Sequence, residues 1–363
     1  MSKKYFLGLA ANRKGAVRQL FMSANKKDAD ELRAYLSVRY QGKSILCKNG
    51  RSALAIALKA YFNKGDKVIV NGFTCYAVYE AVKAAGLTPV FADIDKKTLN
   101  FTAKTIEKVL DKDTVGIIVQ NTLGNPADIE AIERLADSHG LTIIEDLAHC
   151  TGIKYADGRE AGTVGAATIL SFGKDKAIDA TSGGAVVLRH HYMGEVNIPS
   201  EKPLRSDSLR ERFYPFFGAC CRKLTRVHLG GALMKLLIKL HFVERSADNR
   251  LDLNKKPANF EAKLALEQLK NLKAGKETLR EFYLVKEREE VLWRLKMAGY
   301  YFDGFWYEKP ISPARYYKKV HFDEKACPVA TEVAEKIINL PKYYSKKELK
   351  LAREIIEKFV EES

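Results

Sequence analysis

"TILSFGKDKAIDATSGGAVVL", residues 168–188, decides how this chain is read. A β-branched apolar run leads into Ser171, lysines follow at 174 and 176, and a small-residue turn opens a second apolar run. Both runs have the length and composition of core strands. Burying a lysine is costly, so two of them between core strands admit two readings. One is a solvated hairpin turn. The other is a lysine that gives up its proton to form a Schiff base with a carbonyl group.

Strands and helices alternate on the N-terminal side of this stretch. An amphipathic helix is expected over 28–41. "SILCKNGRSALAIALKAYF" (44–62) then reads strand, turn, helix, and "DKVIVNGFTCYAVYEAVKAAG" (66–86) repeats that order. Strands follow at 88–95, 114–121 and 141–152, with helices at 102–111 and 127–140 between them. Helix-length connections argue a mostly parallel sheet covered on both faces. Ligands gather at the C-terminal strand ends of such sheets. Asn49-Gly50, Asn71–Thr74, Asn121–Asn125 and Asp146 all fall there.

Beyond residue 190 the alternation stops. Residues 190–215 read as loop, 217–245 as basic and apolar together, and 259–295 as one helix. The tail holds a strand-like "AGYYFDGFWYE" (298–308) and helices near 329–339 and 345–361. The expected division is a sheet domain over 1–185, a helical connector over 186–275 and a small α/β domain over 276–363.

The chain has 363 residues, 46% of them hydrophobic, enough for a large core. Net charge is +16, which favours anionic partners. The lysines are spread along the chain rather than massed in one block, which argues against nucleic acid. Cysteines stand at 47, 75, 150, 220, 221 and 327, with no CxxC pair and no His/Cys cluster of zinc spacing. No metal site is expected, and a reducing, cytoplasmic setting is. No apolar run approaches the roughly 20 residues of a membrane span.

Pyridoxal phosphate (PLP) needs a lysine amine, a carboxylate for its ring nitrogen, and hydroxyls or amides for its phosphate. Asn49-Gly50-Arg51-Ser52 opens a helix after a strand, a ready anion site. Asp146 ends one apolar strand, and Ser171 and Lys176 follow another. At this point the sequence resembles the DegT/DnrJ/EryC1/StrS sugar aminotransferases. Seven segments carry the likeness in order: "NGRSAL", "FTCYAVYEAV", "GNPADIEAI", "IIEDLAHCTG", "SFGKDKAIDATSGGAVV", "PANFEAKLALEQLKNL" and "CPVATEVAEKIINLP". They cover roughly 28–188 and 257–362.

The resemblance implies the PLP-dependent transferase (aspartate aminotransferase-like) fold. It also implies a reaction that moves an amino group from an amino acid, by analogy glutamate, to a keto-sugar, most often nucleotide-linked. Lys176 takes the place of the lysine that bonds the cofactor and shuttles the proton. Lys174 falls on a variable position and is expected near the rim, solvated or facing a substrate phosphate. Asp146 matches the acid that faces the ring nitrogen, and His149 stands near the ring's 3-hydroxyl. Ser171 resembles the phosphate-binding serine, and Gly50, Arg51 and Ser52 the first phosphate turn. There an arginine replaces the usual threonine, which makes Ser52 and the backbone amides the better phosphate donors.

Asn259 matches an asparagine given to the partner subunit's phosphate, so a homodimer with shared active sites is implied. The aromatic that usually covers the ring falls on Cys75, with Tyr76 or Tyr79 available in its place. Thr181-Ser182 and Glu261 depart from the family's Gly-Glu and Arg. Sugar dehydratases of the group replace the lysine by histidine, so Lys176 favours transamination. The alternatives are a dehydratase of the same fold, or a non-catalytic protein that binds a sugar nucleotide or a membrane surface. Segment 217–245 has no counterpart in the family. It reads either as a basic amphipathic helix in peripheral contact with a membrane, or as a helix packed on the dimer or over the active site.

Overall fold

The computed structural model describes residues 5–6, 19–174, 176–189, 192, 194, 196–272, 280–301, 306–341 and 344–361. Helix α1 (Lys26–Arg39) starts at Asn25, whose side chain and that of Asp28 cap each other's backbone amides. Strand β1 (Lys43–Cys47) and α2 (Gly50–Tyr61) follow, then β2 (Lys67–Asn71), α3 (Tyr76–Ala84) and β3 (Thr88–Ala92). Next come β4 (Thr114–Gln120), α4 (Ile129–His139), β5 (Thr142–Asp146), β6 (Ala167–Ser171) and β7 (Gly184–Leu188).

The seven strands form one sheet in the order β1-β7-β6-β5-β4-β2-β3. Only β7 runs against its neighbours, pairing antiparallel with both β1 and β6. The opening stretch is therefore an antiparallel pair joined by residues 172–183. Buried side chains alternate between the two faces: Ile117 and Val119 of β4 pack on one side with α1, α4 and Leu266, and Ile118 packs on the other with α2 and α3. Burial on both faces is why these strands are continuous apolar runs.

The C-terminal half departs from the sequence reading. The first half of α5 (Arg205–Thr225), which contains Pro215, falls in the stretch expected as loop, while its second half and α6 (Gly230–Lys239) fall in 217–245, read as helical. Proline inside a helix costs about 3 kcal/mol, and that signal hid α5. Glu211, Tyr214, Gly218 and Cys221 are buried along it, so tertiary packing outweighs the proline.

The single helix expected over 259–295 is also wrong. It comprises α7 (Asn259–Lys270), β8 (Arg280–Leu284) and α8 (Arg288–Met297). β8 pairs antiparallel with β9 (Ile337–Pro341), which follows α9 (Pro328–Lys336) and precedes α10 (Lys346–Glu357). The alternation of Arg280 to Leu284 was masked by the charged residues on either side. Within the strand-like 298–308 stretch, Tyr300–Tyr301 is extended, and residues 302–305 lie outside the described residues.

Candidate active site

The C-terminal ends of β1, β4, β5 and β6 open into a cavity of about 450 Å³. Its floor includes Gly50, Arg51, Cys75, Asp146, His149 and Ser171. Lys174, Lys176, Thr181 and Ser182 come from the β6–β7 connector. Seven of the ten side-chain positions expected from sequence thus line it: Lys176, Asp146, His149, Ser171, Gly50, Arg51 and Cys75.

Asp146 owes its aim to strand alternation. Its neighbour Glu145 points the other way and accepts amide hydrogen bonds from Gly162, Val164 and Gly165 at 2.7–2.8 Å, clamping the following loop. Asp146 is 6% exposed, and its Oδ1 accepts one amide hydrogen bond, from Ala148 at 2.9 Å. Burial pushes its carboxyl up, against the Ala148 amide and the Lys176 charge, which pull it down. Among the described residues it has no ion-pair partner, and a protonated ring nitrogen would supply one.

His149 is buried and its Nδ1 accepts from the Leu123 amide at 3.3 Å. Desolvation first, and then the charges of Lys176 and Arg280, hold its pKa well below the usual histidine value, so the ring is neutral. It packs on Trp306, with ring centroids 5.0 Å apart. The Lys176 Nζ lies 4.8 Å from the same indole's centroid. Lys176 thus acts electrostatically on both Asp146 and His149, and all three line one cavity.

At Gly50, a Cβ would come within 2.7 Å of the Ser171 Cβ. Only glycine lets the start of α2 approach the end of β6 this closely. Thr181 Oγ1 is buried with no hydrogen-bond partner among the described residues. A narrow cradle at a helix N-terminus, a serine hydroxyl and an unsatisfied threonine hydroxyl fit a phosphate. With Lys176 and Asp146 alongside, the residues present fit PLP.

Several expectations are corrected. Lys174 is not at a solvated rim: it is 5% exposed, and its Nζ lies 2.6 Å from Glu211 Oε2 and donates to the Glu244 carbonyl at 3.0 Å. Ser52 does not line the cavity; its hydroxyl accepts from the Asp252 amide at 3.0 Å, and its own amide donates to the Asn49 side chain at 2.8 Å. Arg51 does line it, but its guanidinium is paired with Glu80. Tyr76 stacks on Tyr316, with centroids 4.6 Å apart, and lines a second cavity of about 500 Å³ next door. Asn259 is not among them: expected at the partner subunit's phosphate, it lies at the exposed start of α7, outside this chain's own cavity.

Sequence reasoning missed the far wall. Trp306 and Tyr307 close one side, and Tyr214, Met234, Ile238 and Val243 of the α5–α6 hairpin roof the other. The cluster "FWYE" was the available signal for the first pair. Nothing local marked the second group.

Residues 19–198 match the DegT/DnrJ/EryC1/StrS aminotransferase family. Among relatives, a pleiotropic regulatory protein of Geobacillus stearothermophilus is 37% identical over 164 residues, 45% of this chain and 43% of that protein. GDP-perosamine synthase of Escherichia coli O157:H7 is 39% identical over 140 residues, 38% of each. These matches span less than half the length of either relative. A DegT DnrJ EryC1 StrS aminotransferase from Brucella abortus superposes with a TM-score of 0.66 at 20% identity, covering 96% of this chain and 95% of that one. That likeness shows the fold across nearly the whole chain. Residues 19–198, just under half of the chain, are thus a segment of the DegT/DnrJ/EryC1/StrS aminotransferase family.

Proposed function

We propose that this protein is a PLP-dependent aminotransferase that moves an amino group from an amino acid, glutamate by analogy, to a keto-sugar, most simply a nucleotide-linked one. The observation that carries the reading is the convergence of Lys176, Asp146 and His149 in one cavity at the sheet's C-terminal edge. When bound, PLP supplies a carbonyl for an amine and a ring that accepts electrons.

The protein's own residues do the rest. Lys176 offers its amine and moves a proton at its Nζ. Asp146 would hold positive charge on the ring nitrogen. Neutral His149 would lie beside it, and Trp306 would limit access from the far side. Ser171, Thr181 and the start of α2 would hold the phosphate. Asn259, exposed and outside this cavity, is assigned to the partner subunit's phosphate in a homodimer. The six cysteines, none of them in a disulfide, suit a reducing, cytoplasmic setting.

The test is transfer of ¹⁵N from labelled glutamate to a panel of nucleotide-linked keto-sugars by the PLP-loaded protein. Label in the sugar supports the reading. Loss of oxygen from the sugar without label would mean dehydration. Binding without turnover of any sugar would favour the regulatory role that the Geobacillus relative's name suggests.

A further inference from the structure

The α5–α6 hairpin has two faces with different chemistry. Its inner face roofs the cavity through Tyr214, Met234 and Ile238. Its outer face carries Leu229, Leu236, Leu240 and Phe242, each at least half exposed. Lys235 and Lys239 stand exposed beside these leucines, one helical turn apart. Lys223 and Arg226 are exposed near the hairpin tip.

The acids of the hairpin are all turned to internal pairs. Glu211 pairs with Lys174, while Asp207 and Glu244 both pair with Arg210. Helix α6 itself contains no acidic residue. The outer face is therefore apolar side chains set among cations. A contiguous exposed apolar patch of this kind marks a docking surface.

We infer that this face docks on an anionic lipid surface. Charge selects that occupant over a second copy of the chain. Two copies meeting through this face would bring Lys235 and Lys239 of each together, with no exposed acid of α6 to answer them. Each chain also carries a net charge of +16. An anionic bilayer supplies both the missing negative charge and an apolar layer for the leucines and Phe242. Lysine stems lie along apolar surface and keep their ammonium groups at the headgroups.

Among the described residues no helix is long and apolar enough to cross a membrane. Helix α6 has 10 residues, about 15 Å of length, and lies in the interface plane rather than across it. Because its inner face is the cavity roof, docking sets the cavity within one helix diameter of the lipid.

The test is co-sedimentation of the full-length protein with vesicles of equal parts phosphatidylglycerol and phosphatidylcholine, and with phosphatidylcholine alone. Binding is expected only to the anionic vesicles, and should weaken with added salt. Lys235→Glu/Lys239→Glu should weaken it by more than tenfold, at about fivefold per lysine removed. Leu236→Ser/Phe242→Ser should abolish it. None of these four residues lines the cavity, so each variant is checked for unchanged PLP absorbance, which reports folding independently of lipid. The inference fails if wild type ignores anionic vesicles, or if folded variants bind as well as wild type. It also fails if Leu236→Ser/Phe242→Ser turns a dimer into a monomer in light scattering, which would make this face the interface between copies.

Discussion

Replacing Glu211 by glutamine removes the carboxylate 2.6 Å from the Lys174 ammonium and leaves that ammonium buried. Both side chains are 6% exposed, so water cannot stand in for the lost charge. Breaking one side of a buried ion pair costs about 3–5 kcal/mol. Two contacts soften the loss here. The Lys174 Nζ keeps its hydrogen bond to the Glu244 carbonyl at 3.0 Å and its place 4.6 Å above the Tyr214 ring. Glu261, whose carboxyl is raised by burial first and by the Glu211 charge second, also becomes easier to ionise and partly takes over the cation. The low end of the range, about 3 kcal/mol, is therefore expected. In Lys174→Met/Glu211→Gln no charge is left stranded, and most of the loss should return, to within about 1 kcal/mol of wild type. Urea midpoints of the full-length protein at pH 7 measure both. A single variant that loses under about 1 kcal/mol, or a double variant no better than the single, would refute the claim that this pair is a dry, mutually dependent anchor of the roof.

Other expectations follow from the same geometry. Glu261 has its carboxyl raised from 4.5 to about 8, so the folded protein holds a proton there that the unfolded chain releases. The stabilisation from this one carboxyl should be full below about pH 4.5 and be lost as pH rises through about 8, by up to about 5 kcal/mol, and Glu261→Gln should flatten that decline in urea titrations. Gly50→Ala places a Cβ 2.7 Å from Ser171; it should weaken PLP binding at least tenfold and cost about 1–3 kcal/mol. Gly231→Ala, where a Cβ meets open space, should leave PLP binding unchanged, both read by fluorescence titration. Asp146→Asn keeps the hydrogen bond from Ala148 but cannot hold positive charge on the ring nitrogen; turnover should drop about 10²–10⁴-fold, with PLP still bound by absorbance.

The sheet was legible because a strand buried on both faces is a plain apolar run. The strand ends were legible because polar residues interrupt those runs at one edge. Asp146 could be placed at that edge for this reason, whereas the choice of Lys176 over Lys174 and the place of His149 came from the family resemblance. Lys174 could not be placed, because whether a lysine is solvated depends on what packs over it, and its partner Glu211 lies 37 positions on, in a helix hidden by Pro215. Ser52 matched a motif, yet Asp252 claims its hydroxyl from 200 positions away. The wall of Trp306 and the roof of Tyr214 and Met234 form only when the C-terminal segment and the α5–α6 hairpin converge on the sheet's edge.

The central claim is that Lys176, and not its buried neighbour, is the amine presented to the cofactor. The direct measurement is borohydride reduction of the PLP-loaded protein, digestion, and mass spectrometry of the peptide that contains both lysines. The account expects the phosphopyridoxyl mass on Lys176 alone, absent from Lys176→Ala and retained in the Lys174→Met/Glu211→Gln variant. A label on Lys174, or on neither lysine in a protein that still binds PLP, would contradict it.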